Sequence, residues 1–331
     1  MNDLIEAFLL DLVLARGRST HTLAAYRRNL AQFLDYAAGH DVSEARVALA
    51  PLALQRYAAH LHRQGLRATS IRQKIATLRS FVSYLRECHP TEAPVPGQAR
   101  IRYRAQRRPR LTLSFEQLRA LLDHLRQRAQ ISAAAPDERR HLLALRDHAL
   151  FALLAGTGMR IGEALAIELD DLDLERGQIQ IHGKGGHERI VFCDLPELRD
   201  PLRRYVDARA QAAAVRTPRL FVNGRDLGPL SSRAAQLRLR DLASEIDLPS
   251  GVTPHVLRHT YATLAIERGA NIKAVSQLLG HADVRVTLQL YTQLSNDHLA
   301  EVFRLCHPLR DNELDLPEII NNRKKMIPYL R

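Results

Sequence analysis

The sequence predicts a mainly α-helical (α+β) protein in two domains: an N-terminal four-helix domain and a larger, mixed helical domain with a small β-hairpin. Three observations predict it. The chain has 331 residues, more than one typical domain needs, and 46% of them are hydrophobic against 25% charged, so it can bury a sizeable core. Apolar residues recur at helical spacing in both halves, divided by a stretch from His89 to Arg110 that has proline and glycine but no hydrophobic period. The segment "QIQIHGKGGHERIVF" breaks the helical pattern and reads as two short strands around a glycine-rich turn.

Residues 1 to 90 form the first domain, with helices expected over Asn2 to Ala15, Thr20 to Ala37, Pro51 to Gln64 and Thr69 to Glu87, broken at Gly17, Gly39 and Gly65. Ser19 or Thr20 can cap the second helix. Its stripe is Leu23, Tyr26, Leu30, Phe33 and Leu34, with Arg27 and Arg28 off it. The fourth helix repeats the scheme with Ile71, Ile75, Leu78, Val82 and Leu85 beside Arg72, Lys74 and Arg79. Apolar stripes with basic flanks suit a small bundle laid on DNA; a solvated basic face is the plainer alternative. Residues 91 to 110 are the linker, where Arg100, Arg102, Arg104, Arg107, Arg108 and Arg110 stand without one acid between Ala93 and Phe115. That composition predicts a strap along phosphates rather than a neutral tether.

Residues 111 to 310 make the second domain, with helices expected over Ser114 to Arg128, His141 to Ala155 and Pro196 to Ala214. In "TPHVLRHTYATLAIERG", Thr253 can cap a helix and Pro254 suits its first turn. In "LLGHADVRVTLQLYT", Gly280 suits a helix C-terminus, whereas Val284, Val286, Leu288 and Leu290 alternate and read as a strand with Tyr291 on its polar side. Beyond Tyr291, Asn296 or Asp297 can cap a short helix whose stripe is Leu299, Val302, Phe303 and Cys306, stopped by Pro308; residues 311 to 331 are a polar tail.

The formal charge of +12 and a pI near 10.1 would hold a polyanion, and nucleic acid is the one a protein of this kind meets. With no tryptophan and 5% aromatic residues there are few platforms for unpaired bases, so duplex DNA is the expected partner. No run has the length of a membrane span, and the opening "MNDLIEAFLLDLVLARG" has acids where a secretory signal carries bases, which predicts a cytoplasmic protein. Cys88, Cys193 and Cys306 lack metal-ligand spacing and fit reduced thiols.

Several residues are candidates for chemistry. In "GTGMRIGEAL", Gly156 and Gly158 break a helix and Arg160 stands where the next begins, beside free N–H groups that draw a phosphate; Glu163 is its candidate local partner. On the helix after Pro254, an advance of about 100° per residue gathers His255, Arg258 and His259 on one face and Leu257, Tyr261 and Leu264 on another. Zinc is the competing reading of the histidine pair, but the glutamate of a zinc-hydrolase helix is absent and no third ligand is near. Lys184 sits at the tip of "GKGG" in a chain with five lysines among 48 basic residues. Lysine can release a proton at working pH and arginine cannot, so a leaving-group donor is a reason for the exception; a plain turn lysine is the alternative. Phosphoryl transfer needs a nucleophile, cations for the charged oxygens and a proton for the leaving oxygen. Tyr291, Arg160 with Arg258, and Lys184 supply these, with the histidines managing protons. Asp170, Asp171 and Asp173 crowd one turn and do not make a two-metal cluster, so metal-free covalent chemistry without a cofactor fits better.

This constellation resembles the tyrosine recombinase, or phage integrase, family and its Xer-like members over nearly the whole chain. The carrying residues are Arg160 in "TGMRIGE", the hairpin Lys184, His255 with Arg258 in an H-x-x-R helix, His281 in "LLGH", and Tyr291. The resemblance implies a SAM-like core-binding domain over residues 1 to 90, a catalytic domain beyond the linker, and a C-shaped clamp of both domains on duplex DNA. It implies helix over Val284 to Tyr291, against the alternating pattern. It also implies cutting and rejoining through a 3′-phosphotyrosyl intermediate, without metal or ATP, by a homo-tetramer on two DNA sites, with accessory proteins possible. By the same resemblance the terminal helix is expected to dock on a neighbouring protomer in trans, packing on its own domain being the alternative. A type IB topoisomerase and an inactive DNA-binding relative are the competing classes.

Overall fold

A computed structural model describes residues 1–15, 20–40, 45–94, 111–134, 137–182, 188–280, 303–304 and 307–308. The chain divides into two compact units, Met1–Arg108 and Pro109–Arg331, each with its own core.

The first unit holds α1 (Asn2–Leu14), α2 (Thr20–Ala38), α3 (Ala45–Ala48), α4 (Pro51–Arg63) and α5 (Ala68–Cys88). The four long helices match the sequence expectation within two residues at each end; the one-turn α3 is an addition, because four residues are too few to show a period. Both predicted stripes face the core: Leu30 and Phe33 of α2, and Ile71, Ile75, Leu78, Val82 and Leu85 of α5, are buried. Phe8 of α1 is fully buried between Phe81 and Tyr84, each with its ring centroid 5.3 Å away. Pro51 opens α4 where its missing N–H costs nothing, and Gly65 leaves that helix at φ +79°.

The second unit contains α6 (Phe115–Ala133), α7 (Glu138–Thr157), α8 (Ile161–Ala164), α9 (Pro196–Gln211), α10 (Ser232–Ser244), α11 (Pro254–Glu267) and α12 (Ile272–Leu278). Its sheet is β1 (Leu172–Asp173), β2 (Gln178–His182) and β3 (Glu188–Phe192), antiparallel in the order β1-β2-β3. The hairpin is as predicted, with Ile179 opposite Val191 and His182 opposite Glu188; the two-residue β1 escaped notice because it is too short to alternate. Ser114 and Gln117 close a reciprocal capping box on α6, and Asp137 caps α7. Every residue of α7 from Leu145 to Thr157 is buried, and this helix packs against α6, α9 and α11. Two residues of that buried stretch are charged: Asp147 accepts from Arg146 at 2.5 Å and from Arg238 of α10 at 2.6 Å, so the buried carboxylate is fully paired. Thr260 of α11, fully buried, accepts the Leu113 N–H at 2.9 Å and ties the start of this unit to the helix that carries Arg258.

One expectation is corrected here. Gly156 does not break α7; it is buried within the helix, where an added Cβ would collide with the Leu198 side chain. Only Gly158, at φ +63°, ends it. Of the terminal stripe, Phe303 is described and packs on its own unit; Leu299, Val302 and Cys306 lie outside the described residues. Phe303 is 3% exposed in the main core, its ring 6.0 Å from Phe192, and His307 is 1% exposed. His307 Nε2 donates to the Gly156 carbonyl at 2.5 Å, Arg268 donates to the His307 carbonyl at 2.7 Å, and Arg304 pairs with Asp194 at 2.6 Å. The chain's own Gly156 leaves the space and the acceptor that hold this segment in cis.

Burial holds the His307 imidazole down to about 3, with the Arg268 charge adding to the effect and the Gly156 hydrogen bond opposing it. A native pKa below the unfolded one means that the unfolded chain gains a proton first as pH falls. Stability contributed by this neutral histidine is therefore present above about pH 6.5 and is lost toward pH 3, by up to roughly 1.4 kcal/mol per unit. The stability difference between the wild type and His307→Gln should accordingly narrow from pH 7 to pH 5, as read by urea unfolding. A difference independent of pH would assign the acid sensitivity elsewhere.

Candidate active site

The site is built where the ends of α7 and α12 meet the first turns of α11. Gly158 adopts the left-handed conformation that lets the chain turn out of α7, and no larger residue fits there. A Cβ would stand 2.5 Å from Leu279 Cδ2 and 2.7 Å from Tyr261 Cδ1. Two residues on, Arg160 is the N-cap of α8. Its backbone N–H donates to Glu163 Oε2 at 2.8 Å, and its Nη1 donates to Glu163 Oε1 at 2.9 Å and to the Gly280 carbonyl at 3.2 Å. The side chain is 41% exposed, and these contacts occupy one of its three nitrogens. Donors remain to meet an anion.

Arg258 reaches the same place from α11. Its Nη1 donates to the Gly158 carbonyl at 2.7 Å and its Nη2 to the Leu279 carbonyl at 2.9 Å, so carbonyls from two helix ends fix its plane. It is 6% exposed, and burial, then Arg160 and Arg189 nearby, draw its guanidinium down to about 10 against the pull of Glu163. It is still charged at neutral pH. Two like charges are thus held beside each other in a poorly solvated position, an arrangement that favours a bound dianionic or anionic oxygen.

Glu163 compensates part of this charge. Burial pushes its carboxyl up, but hydrogen bonds from Arg189 and from the Arg160 backbone, with the Arg189 charge, outweigh it and hold the group below the usual carboxylate range. Arg189 comes from β3 and donates to Glu163 Oε1 at 3.2 Å and Oε2 at 2.9 Å.

The other expected residues are placed unevenly. His255 is exposed in the first turn of α11, which Thr253 caps and Pro254 opens as predicted. Leu257, Tyr261 and Leu264 are buried as expected, but Arg258 does not share a solvent face with His255 and His259; it turns inward to the two carbonyls. Lys184, His281 and Tyr291 lie outside the described residues, as does the alternating run from Val284 to Leu290. In sequence, Lys184 lies between the end of β2 and the start of β3, and His281 follows Gly280, whose carbonyl Arg160 holds.

Among the candidate DNA contacts, Arg27 of α2 grips Glu6 of α1 with two hydrogen bonds, at 2.5 and 2.9 Å, and Lys74 of α5 donates to Asn29 and Gln32 of α2. Both join helices within the bundle, which a solvated-face reading from sequence does not show. Arg28, Arg72 and Arg79 are exposed, and Arg28 edges a 520 Å³ hollow with Thr22, Asn29, Gln73 and Thr77. Arg100, Arg102, Arg104, Arg107 and Arg108 lie outside the described residues. Among the described residues no three metal-ligating side chains gather, and no helix is long and apolar enough to cross a membrane.

Arg189 is the residue that the sequence reading missed. Its only signal is an arginine at an inward-leaning position of a predicted strand, where an apolar residue is the rule.

Residues 112–298 match the phage integrase family and residues 5–88 match the phage integrase N-terminal SAM-like domain. The tyrosine recombinase XerC of Azotobacter vinelandii is 36% identical over 308 residues, covering 92% of this chain and 95% of its own. The tyrosine recombinase XerD of Listeria monocytogenes is 33% identical over 323 residues, 93% of this chain and 99% of its own. The fold is also that of the XerH site-specific recombinase solved on its difH substrate in a pre-cleavage complex, at 22% identity and a TM-score of 0.62 over 87% of this chain and 80% of that one. The chain belongs to the phage integrase family of tyrosine recombinases, and its activity is site-specific DNA recombination through a tyrosine. The topoisomerase and inactive-relative readings draw no support from these similarities.

Proposed function

We infer that Tyr291 is the nucleophile of a metal-free and ATP-free strand exchange on duplex DNA. Its oxygen attacks the scissile phosphate and leaves a 3′-phosphotyrosyl bond and a free 5′-hydroxyl, so the bond energy is kept for rejoining by a partner strand's 5′-hydroxyl. Arg160 and Arg258 neutralise the non-bridging oxygens as charge builds, and His281 adds a hydrogen bond. Lys184 protonates the departing 5′-oxygen, and His255 moves the tyrosine's proton. The observation that carries this reading is the pairing of Arg160 with Arg258, far apart in sequence yet oriented by adjacent carbonyls of Gly158, Leu279 and Gly280. With two fixed cations and a lysine, the charge a metal would supply is already present in the donor set. The test is a nicked suicide substrate, from which the severed fragment diffuses and strands the covalent adduct. Absence of a protein–DNA band on a denaturing gel would sink the reading.

The same reading gives residues 1 to 90 a core-binding role, residues 91 to 110 that of a basic strap, residues 111 to 310 catalysis, and residues 311 to 331 the place of a tail. A homo-tetramer on two DNA sites, with accessory proteins possible, follows from the family, and the composition of the chain suits the cytoplasm as its place of work. In the linker, replacing Arg100, Arg102, Arg104, Arg107, Arg108 and Arg110 with glutamine should flatten the dependence of binding on salt, because every phosphate that is no longer neutralised takes about 0.9 from the slope of log K against log salt. An unchanged slope would return the segment to a tether.

A further inference from the structure

Glu163 poses an electrostatic problem for the reaction. A carboxylate 2.9 Å from Arg160 competes with phosphate for that guanidinium, and a fully neutralised Arg160 would lose much of its value to a transition state. The structure divides the carboxylate unequally. Arg189 takes both of its oxygens, at 3.2 and 2.9 Å, in the bidentate manner that suits a planar guanidinium, whereas Arg160 spends one side-chain nitrogen on it. Arg189 is held for this purpose. Its side chain is 20% exposed, and Gly280 leaves room for it, since a Cβ at that position would stand 2.9 Å from Arg189 Cζ. Its Nε is buried without a hydrogen-bond partner among the described residues, a cost that packing alone would remove by placing an apolar side chain there. Its strand, β3, begins four residues after Lys184 in the sequence.

We propose that Arg189 is a positioning residue for strand cleavage: it holds Glu163 through both carboxylate oxygens, so that Glu163 orients Arg160 without neutralising it, and it ties the Lys184 hairpin to the Arg160 turn. The proposal rests on the assignment of Arg160 to the scissile phosphate. Removing Arg189 leaves Glu163 with Arg160 as its only ion partner among the described residues, and the phosphate then meets a cation already engaged. Removing the charge of Glu163 as well relieves that competition. The two residues should therefore couple strongly, which a merely structural role for Arg189 would not produce.

The experiment is a double-mutant cycle of Arg189→Ala and Glu163→Gln, read as the single-turnover rate of cleavage on a suicide substrate, with DNA affinity measured separately and folding checked by circular dichroism. Arg189→Ala should slow cleavage by roughly 10- to 100-fold while changing affinity about twofold or less, and in the Glu163→Gln background the same change should cost under about threefold. Arg189→Lys, which retains the charge without the fork, should recover part of the rate and serves if the alanine variant is unstable. Wild-type cleavage by Arg189→Ala or Arg189→Lys variants of every background, or equal losses with and without the Glu163 charge, would overturn the proposal. Arg160→Ala is run beside them: full cleavage by that variant would defeat the assignment of Arg160 itself, whereas an inactive Arg160→Ala with unaffected Arg189 variants defeats the role of Arg189 alone.

Discussion

Tyr291→Phe should abolish the covalent protein–DNA adduct while leaving binding to the recombination site intact. The change removes one oxygen and keeps the ring, so what is lost is the nucleophile and little packing. Among the described side chains around Arg160 and Arg258, Glu163 is held by two arginines and Tyr261 is 2% exposed in the core, so neither offers an oxygen to a phosphate in place of Tyr291. The expected loss is complete within the assay. Gel-shift affinity and a denaturing gel on the same nicked substrate give the two readouts, and adduct persisting in the phenylalanine variant would remove Tyr291 from its role.

The next largest effect is expected at the arginines. Arg160→Ala and Arg258→Ala should each lower the cleavage rate by roughly 10² to 10³, about 2.7 to 4 kcal/mol, the usual cost of losing a transition-state charge donor. The two should differ in stability. Arg160 is 41% exposed and its loss frees the Gly280 carbonyl and one oxygen of Glu163, which Arg189 still holds, whereas Arg258 is 6% exposed and satisfies the carbonyls of Gly158 and Leu279. Arg258→Ala orphans two buried carbonyls, at a cost of about 1 to 3 kcal/mol each, so its thermal midpoint should fall further than that of Arg160→Ala. Lys184→Ala separates proton transfer from charge. A substrate with sulfur at the 5′-bridging position has a leaving group that needs little protonation, so it should restore cleavage to the lysine variant and not to either arginine variant. Equal rescue of all three would withdraw the general-acid role.

Part of the candidate site was legible before any fold. Arg160, read from a glycine-flanked turn, and Arg258, read from a capped helix, meet in the structure around the carbonyls of Gly158, Leu279 and Gly280, whereas Lys184, His281 and Tyr291 lie outside the described residues. The long helices were equally plain, because the stripes of α2 and α5 repeat at 3.6 residues and have to be buried. Short elements were not. The single turn of α3 and the two residues of β1 are below the length at which any period is visible, and their existence depends on neighbours.

By itself, the sequence determined the helical class, the hairpin strands, the separation of two cores by a basic stretch, and the residue types of the candidate site, since periodicity, turn chemistry and charge are local properties of the chain. Tertiary structure alone decided how the charges are shared. Nothing local tells that Arg258 turns inward to Gly158 and Leu279, that Arg27 and Lys74 join helices, that His307 closes on Gly156 in cis, or that Arg189 divides Glu163 with Arg160. Each of these pairs residues distant in sequence. An ion's worth depends on the distance and burial of its partner, which are set only when separate elements pack together.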